Sequence, residues 1–322
     1  MRQNKGILIA VSAAVFAAAF FAVSMKSSAQ QKKYVFIAPT VKELADSSLG
    51  KMLSEITVAL SQKVGMDIQM QRPVYSHGGN ATKMTLDAMK ANKAQMGYVN
   101  AIEYIMLEKK YPKVFDPKFT LTFDNKKNKD TCFYVKKDSP VTDVKGTKGL
   151  VWGGEDTYQA RLLLHENGYD GALSGWFKKV KFVSSSPVTK GVEAIMNGDI
   201  DVFSAERAMM KMSGGMSSGD ASGKQVSPLN LVKEVGCALY ENTWVFGSRG
   251  DMPDEDKKKI AAAMIGANKD KAFQKFQFMF IAIKGSFVPF KDSDYARTRE
   301  IVSLINKYGW EKEKDAFNKT VK

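Results

Sequence analysis

The chain is short of the residues that carry most enzymatic chemistry. Among 322 residues there are two histidines and two cysteines. No zinc-ligand spacing, nucleophile elbow or Walker loop occurs. His165 follows a leucine run and reads as a packing or surface residue, while His77 stands beside Ser76 in a polar loop. Sequence neighbours do not make a nucleophile–base pair, which depends on three-dimensional geometry. The chain is therefore read as a non-enzyme, and no cofactor is expected. Cys132 and Cys237 can form one disulfide in an oxidising compartment or remain two buried thiols, and both outcomes stay open. A stripe of interleaved aromatic and basic residues is also missing. The formal charge is +14, but the basic residues are scattered or alternate with acids, as in Glu311 to Asp315. They read as solvated surface, and no nucleic-acid partner is expected.

The composition, 44% hydrophobic and 25% charged, is that of a globular protein, and 322 residues suffice for two domains. Residues 1–29 are set apart. Arg2 and Lys5 precede an apolar run from Ile7 to Val23, and Ser27, Ser28 and Ala29 supply small residues for cleavage, the layout of a secretory signal. An uncleaved N-terminal anchor is the alternative. Either way the folded part is expected outside the cytoplasm, in the periplasm. Without residues 1–29 the formal charge falls to +11.

The organising stretch is Thr189 to Ala208. It reads as a short amphipathic helix, an Asn197-Gly198 turn that uses glycine's left-handed backbone, and a buried strand from Ile200 to Ser204. Met84 to Ile105 repeats the pattern. Two such units point to an α/β protein with two lobes facing across a cleft, whose ligand sits at the carboxyl ends of strands. The strand exits Tyr98 to Asn100 and Ser204 to Glu206 are thus candidate walls. Residues 34–41, a helix over 47–64 and a strand over 66–70 form a βαβ opening with parallel pairing. A strand from Cys237 to Phe246 is expected to return the chain to the first lobe, and the C-terminal helices to cover it. The resulting division is 30–130 plus 240–322 for lobe 1 and 131–239 for lobe 2.

Phe36 to Thr40, Ala88 to Tyr104, Asp138-Ser139-Pro140 before Val144-Lys145-Gly146, and Ala194 to Asp201 follow the order of a known family. Gly285 to Tyr295, with Arg299 after it, matches that family's C-terminal signature best. On these segments the chain resembles the phosphate/phosphonate-type periplasmic solute-binding proteins of ABC importers. The resemblance implies a two-lobed type II periplasmic binding protein fold, with a hinge and an interlobe cleft. It also implies a small-molecule ligand and docking, as a monomer, on a membrane permease complex.

Ligand contacts are expected from Thr40, Ser76, His77 and Thr82 on the first lobe, with Tyr98 and Asn100 at its strand exit. On the second they are expected from Trp152, the loop Gly153-Gly154-Glu155-Asp156, Ser185, Thr189 and Glu206. The family's Ser-Thr-Ser-Gly loop is replaced here by Gly153 to Asp156, so hydroxyl donors give way to carboxylates that repel an anion. A phosphate- or phosphonate-like ligand is the first expectation. A sterol or other lipid resting on Tyr98, Trp152 and methionines is the alternative. A further alternative is Cu(I) on Met209, Met210, Met212 and Met216, against which stands methionine's ordinary use as adaptable packing.

Overall fold

The computed structural model describes residues 32–41, 48–76, 79–184, 188–213, 218–219, 225–241, 244–282 and 284–320. The expected leader (1–29), His77 and Ser185 lie outside the described residues. Among the described residues, no helix is long and apolar enough to cross a membrane.

The chain opens with β1 (Lys33–Ile37), α1 (Ser48–Val64) and β2 (Asp67–Gln71). β1 and β2 pair in parallel, Lys33 opposite Asp67, because a helical crossover returns the chain in the same direction. There follow α2 (Ala81–Lys90), β3 (Met96–Asn100), α3 (Ala101–Leu107) and β4 (Phe115–Leu121). The chain then crosses to a second sheet through β5 (Asn128–Lys136), β6 (Val151–Gly154), α4 (Thr157–Glu166) and β7 (Lys179–Phe182). That sheet is completed by α5 (Thr189–Met196), β8 (Val202–Glu206), α6 (Arg207–Ser213) and β9 (Val232–Glu241). The return consists of β10 (Trp244–Arg249), α7 (Asp254–Ile265) and β11 (Phe287–Pro289), with α8 (Ala296–Tyr308) and α9 (Trp310–Asn318) last.

The first sheet has the order β11-β4-β10-β3-β1-β2 and the second β9-β5-β8-β6-β7. Each is sandwiched between apolar layers, as the alternation of side chains along the strands requires. In β1, Tyr34 and Phe36 face the layer under α1 and α7, while Val35 and Ile37 face Leu86 and Met89 of α2. In β5, Phe133 and Val135 face α4, while Cys132 and Tyr134 face Val192 and Ile195 of α5. The two helix–turn–strand units read from sequence are present as α2–β3 and α5–β8. Gly198 holds φ 76° in the turn of the second.

Two features differ from the sequence reading. Residues 237–246 are two strands: β9 ends in the second sheet at Glu241, and β10 begins in the first at Trp244. Residues 296–318, grouped with the first lobe, put their apolar side chains into a cluster that joins Ile102 of α3 to the second lobe's core. There Ile301, Val302, Ile305 and Trp310 pack in one cluster with Leu162 and Leu163, and the Phe317 ring lies 5.9 Å from that of Trp152. The apolar spacing of α8 and α9 marks a buried face without saying which lobe covers it.

Cys132 and Cys237 stand opposite each other on β5 and β9 and are joined by a disulfide. The bridge spans 105 residues of sequence, so it restricts the unfolded chain strongly. Replacing both cysteines by alanine should lower stability by about 2–4 kcal/mol. Urea unfolding checks this, and dithiothreitol should reproduce the loss in the unmodified protein but not in the double variant.

Candidate ligand-binding site

The carboxyl ends of β3 and β8 border one cavity of about 360 Å³, lined by both lobes. Tyr98 reaches it from β3, Ala205 and Glu206 from β8, and Trp244 from the start of β10. The Tyr98 and Trp244 rings stack with centroids 5.4 Å apart. The Tyr98 hydroxyl donates to the Pro39 carbonyl at 2.5 Å, which fixes the ring across the end of the sheet. Burial pushes this hydroxyl's pKa well above the ordinary tyrosine value, so it remains a neutral donor.

The polar wall comes from the second lobe. Lys129 Nζ lies 2.9 Å from a Glu206 carboxylate oxygen, with side chains 2% and 16% exposed. The ammonium also sits 4.4 Å from the centroid of the Phe123 ring. Beside them the Thr131 hydroxyl donates to Gln159 Oε1 at 2.9 Å. The rest of the cavity is apolar. It continues into the first lobe between the sheet, which contributes Phe36, Met70 and Phe246, and the helices α1 and α7, which contribute Leu60 and Met264.

A second polar junction closes the same side of the molecule. Lys314 of α9 reaches Glu103 of α3 at 3.2 Å. Burial draws the Lys314 pKa down, but the Glu103 and Asp156 carboxylates outweigh it, and the net shift is upward. Asp156 caps α4 by accepting from the Tyr158 amide at 2.8 Å. Its own pKa is raised by burial, with Lys314 opposing. Burial, then the Glu155 carboxylate, raises the Tyr75 hydroxyl, so the Glu155 loop and the Tyr75 strand end face each other electrostatically.

Of the residues expected from sequence, Tyr98 and Glu206 line the cavity. Asn100 instead caps α3, accepting from the Ile102 and Glu103 amides at 3.0 and 3.3 Å. The buried Thr82 hydroxyl accepts from the Asn100 amide at 2.8 Å. Thr40 is buried, with its amide on the Pro73 carbonyl. Ser76 is exposed, and Thr189 is half-buried in the first turn of α5. Trp152 is not in the cleft: it is fully buried, its ring 6.2 Å from Phe177. Gly153 and Gly154 end β6. A Cβ on Gly154 would lie 2.4 Å from the Trp152 indole and 2.7 Å from Ser204 Oγ, and one on Gly153 within 3 Å of Ile200 and Val183. Glycine is present there for packing.

The residues that sequence reasoning missed are Lys129, Gln159 and Trp244. Trp244 lay inside what read as one strand. Among the methionines proposed for copper, Met209 lines the cavity and Met210 is fully buried among Phe203 and Val232. Among the described residues, the His/Cys/Asp/Glu group compact enough for a metal is Cys132, Glu234 and Cys237. Its sulfurs are already bonded to each other.

The profile of the ABC transporter phosphonate periplasmic substrate-binding proteins matches residues 45–295. The chain belongs to that family. Substrate-binding proteins of this family take up small ligands in the periplasm and deliver them to a membrane permease complex. Among solved structures it is similar to PhnD1 from Prochlorococcus marinus in complex with methylphosphonate. The identity is 14%, the TM-score 0.63, and the match covers 85% of this chain and 99% of that one. It is also similar to the binding protein of an ABC phosphonate transporter from Pseudomonas aeruginosa (14% identity, TM-score 0.61, 91% and 95% covered). A third is the periplasmic aliphatic sulphonate binding protein SsuA from Escherichia coli (10% identity, TM-score 0.55, 86% and 88% covered). These likenesses show the fold, which is the two-lobed one of periplasmic binding proteins. No curated protein sequence matches the chain.

Two stability experiments follow from this geometry. Lys129→Met leaves Glu206 against apolar walls. It should cost about 2–3 kcal/mol, below the full penalty of a broken buried pair because Glu206 keeps some exposure. Asp156→Ala loses the α4 cap and should cost about 1 kcal/mol, whereas Asp156→Asn keeps an acceptor and should cost much less. The raised folded pKa favours the protonated form in the native state. Its contribution is therefore complete below the unfolded pKa and is lost as pH rises through the folded value. As pH rises above about 4, urea midpoints of Asp156→Asn should accordingly fall less than those of the unmodified protein.

Proposed function

We propose that this chain is the ligand receptor of an ABC importer, and that it closes its lobes on a phosphonate carried as the monoanion. It acts as a monomer, exported by a leader within residues 1–29. The observation that carries the reading is the Lys129–Glu206 pair on the second-lobe wall of the interlobe cavity, which Tyr98 and Trp244 also line. An ammonium donates and a carboxylate only accepts. A hydrogen phosphonate suits both, because its oxygens accept from Lys129 while its remaining P–OH donates to Glu206. A sulfonate has no such proton and would set its charge against the carboxylate. Gln159 offers an amide on the same wall, and Trp244 serves as a fluorescent reporter.

Titration of the full chain with methylphosphonate and methanesulfonate, followed by calorimetry and tryptophan fluorescence, tests this. The phosphonate should bind at least about tenfold more tightly. Its affinity should fall as pH rises through its second ionisation, because the donor proton is lost. Glu206→Gln, able to donate, should erase the preference. Equal affinity for both anions, or binding of neither, would overturn the reading.

The second reading, a wholly apolar guest such as a sterol or other lipid, is favoured by the hydrocarbon character of the deeper lining. Mass spectrometry of material extracted from the purified protein separates the two.

A further inference from the structure

The deeper part of the cavity has no role in holding an anionic head. Every strand of the first sheet contributes a lining residue: Met70, Phe36, Tyr98, Phe246, Phe119 and Phe287 in spatial order. Neighbouring strands lie 4.7–4.9 Å apart, so this lining extends over about 24 Å of sheet width. The opposite wall is Ile56 and Leu60 of α1 with Ile260 and Met264 of α7. Phe36 and Phe246 stand on interior strands, yet they keep partial exposure because they face this space. An apolar cavity of about 150 Å³ already accepts benzene. Here a volume of about 360 Å³ has lining residues on every strand of the sheet, an extent that one flexible chain can follow.

We infer that the ligand is an amphiphile whose saturated hydrocarbon chain enters this apolar space in the first lobe while its head remains at Lys129 and Glu206. The inference rests on the phosphonate reading above and narrows it from small phosphonates to alkyl ones. Met70 on the sheet and Met264 on the opposite helical wall supply lining that adapts to a chain of variable length.

The test uses the full chain with methyl-, butyl- and octylphosphonate below their aggregation limits, with 1-octanol and a sterol as neutral probes. Affinity should rise up to about fourfold for each methylene taken out of water. Ile260→Trp, which narrows the apolar space from α7, should reduce the octyl-to-methyl affinity ratio. Should that variant fail to fold, the length series on the unmodified protein decides alone. Methylphosphonate binding with no gain for octyl would overturn the hydrocarbon-chain inference and leave the phosphonate reading in place. Octanol or sterol binding as tightly as octylphosphonate would overturn the anionic head and support the apolar site. Binding of none of these probes would overturn both.

Discussion

The aromatic face of the six-stranded sheet constrains much of this structure. Phe36, Phe119, Phe246 and Phe287 lie in one layer, and Phe246 is within 5.2–6.5 Å of the other three rings. Rings at these separations gain from offset and edge contacts. Their bulk also keeps α1 and α7 from closing down on the sheet everywhere, and the cavity occupies the space between. Apolar surface left accessible forgoes about 25 cal/mol per Å². A guest that covers it therefore recovers free energy independently of any hydrogen bond. The cavity is continuous from this layer to the polar wall of the second lobe, so a guest seated in it touches both lobes. Closure and binding are then the same event.

How far that closure can go depends on what joins the lobes. The chain crosses between the sheets after Leu121 and again after Glu241. The terminal helices add a third tie. α9 is buried in the second lobe through Trp310 and Phe317, while its Lys314 reaches Glu103 on the first-lobe helix α3. α8 packs along α3 as well. A junction of buried charges resists sliding more than an apolar one does, since separating Lys314 from its carboxylates would strand them. The two lobes are therefore tied at α3, α8 and α9 in addition to the two strand crossings.

Much of the fold was legible because it rests on local rules. The Gly198 turn, the alternation in β1 and β5 and the parallel βαβ opening all follow from backbone geometry and side-chain period. The family order of the segments fixed the two-lobed arrangement as well. What could not be read was which apolar face meets which lobe. The spacing of Ile301, Val302 and Ile305 predicts a buried stripe, but only the chain's path brings it to Leu162 and Leu163. The site suffered in the same way. Tyr98 and Glu206 line the cavity, as strand ends are a topological feature, while Trp152 and Trp244 look equivalent in sequence. One points into a core and the other into the cleft because β6 is interior to its sheet and Trp244 begins a strand beside the crossing. Gly153 and Gly154 carry a packing constraint that the sequence does not display. A pair of glycines before a helix is the pattern of an anion cradle, but here the indole of Trp152 and the Ser204 hydroxyl claim the space that their Cβ atoms would fill.

That substitution also bears on where binding energy comes from. A helix N-terminus ringed with hydroxyls holds a phosphonate by several charge-assisted hydrogen bonds, each made where water is excluded. In this chain the N-terminus of α4 is capped by Asp156, which takes up the Tyr158 amide and brings a carboxyl group unsuited to an anion. One ammonium and one carboxylate on the cavity wall cannot replace such a ring, because the pair largely satisfies itself. Affinity must then draw more on area than on polar contacts. Discrimination follows the same division. On the proposed reading the Lys129–Glu206 wall would select by proton count, through an acceptor that rejects a fully ionised head, and the apolar lining by length, through the hydrocarbon it can cover. A receptor built this way tolerates variation along the chain of its ligand far better than variation at the head.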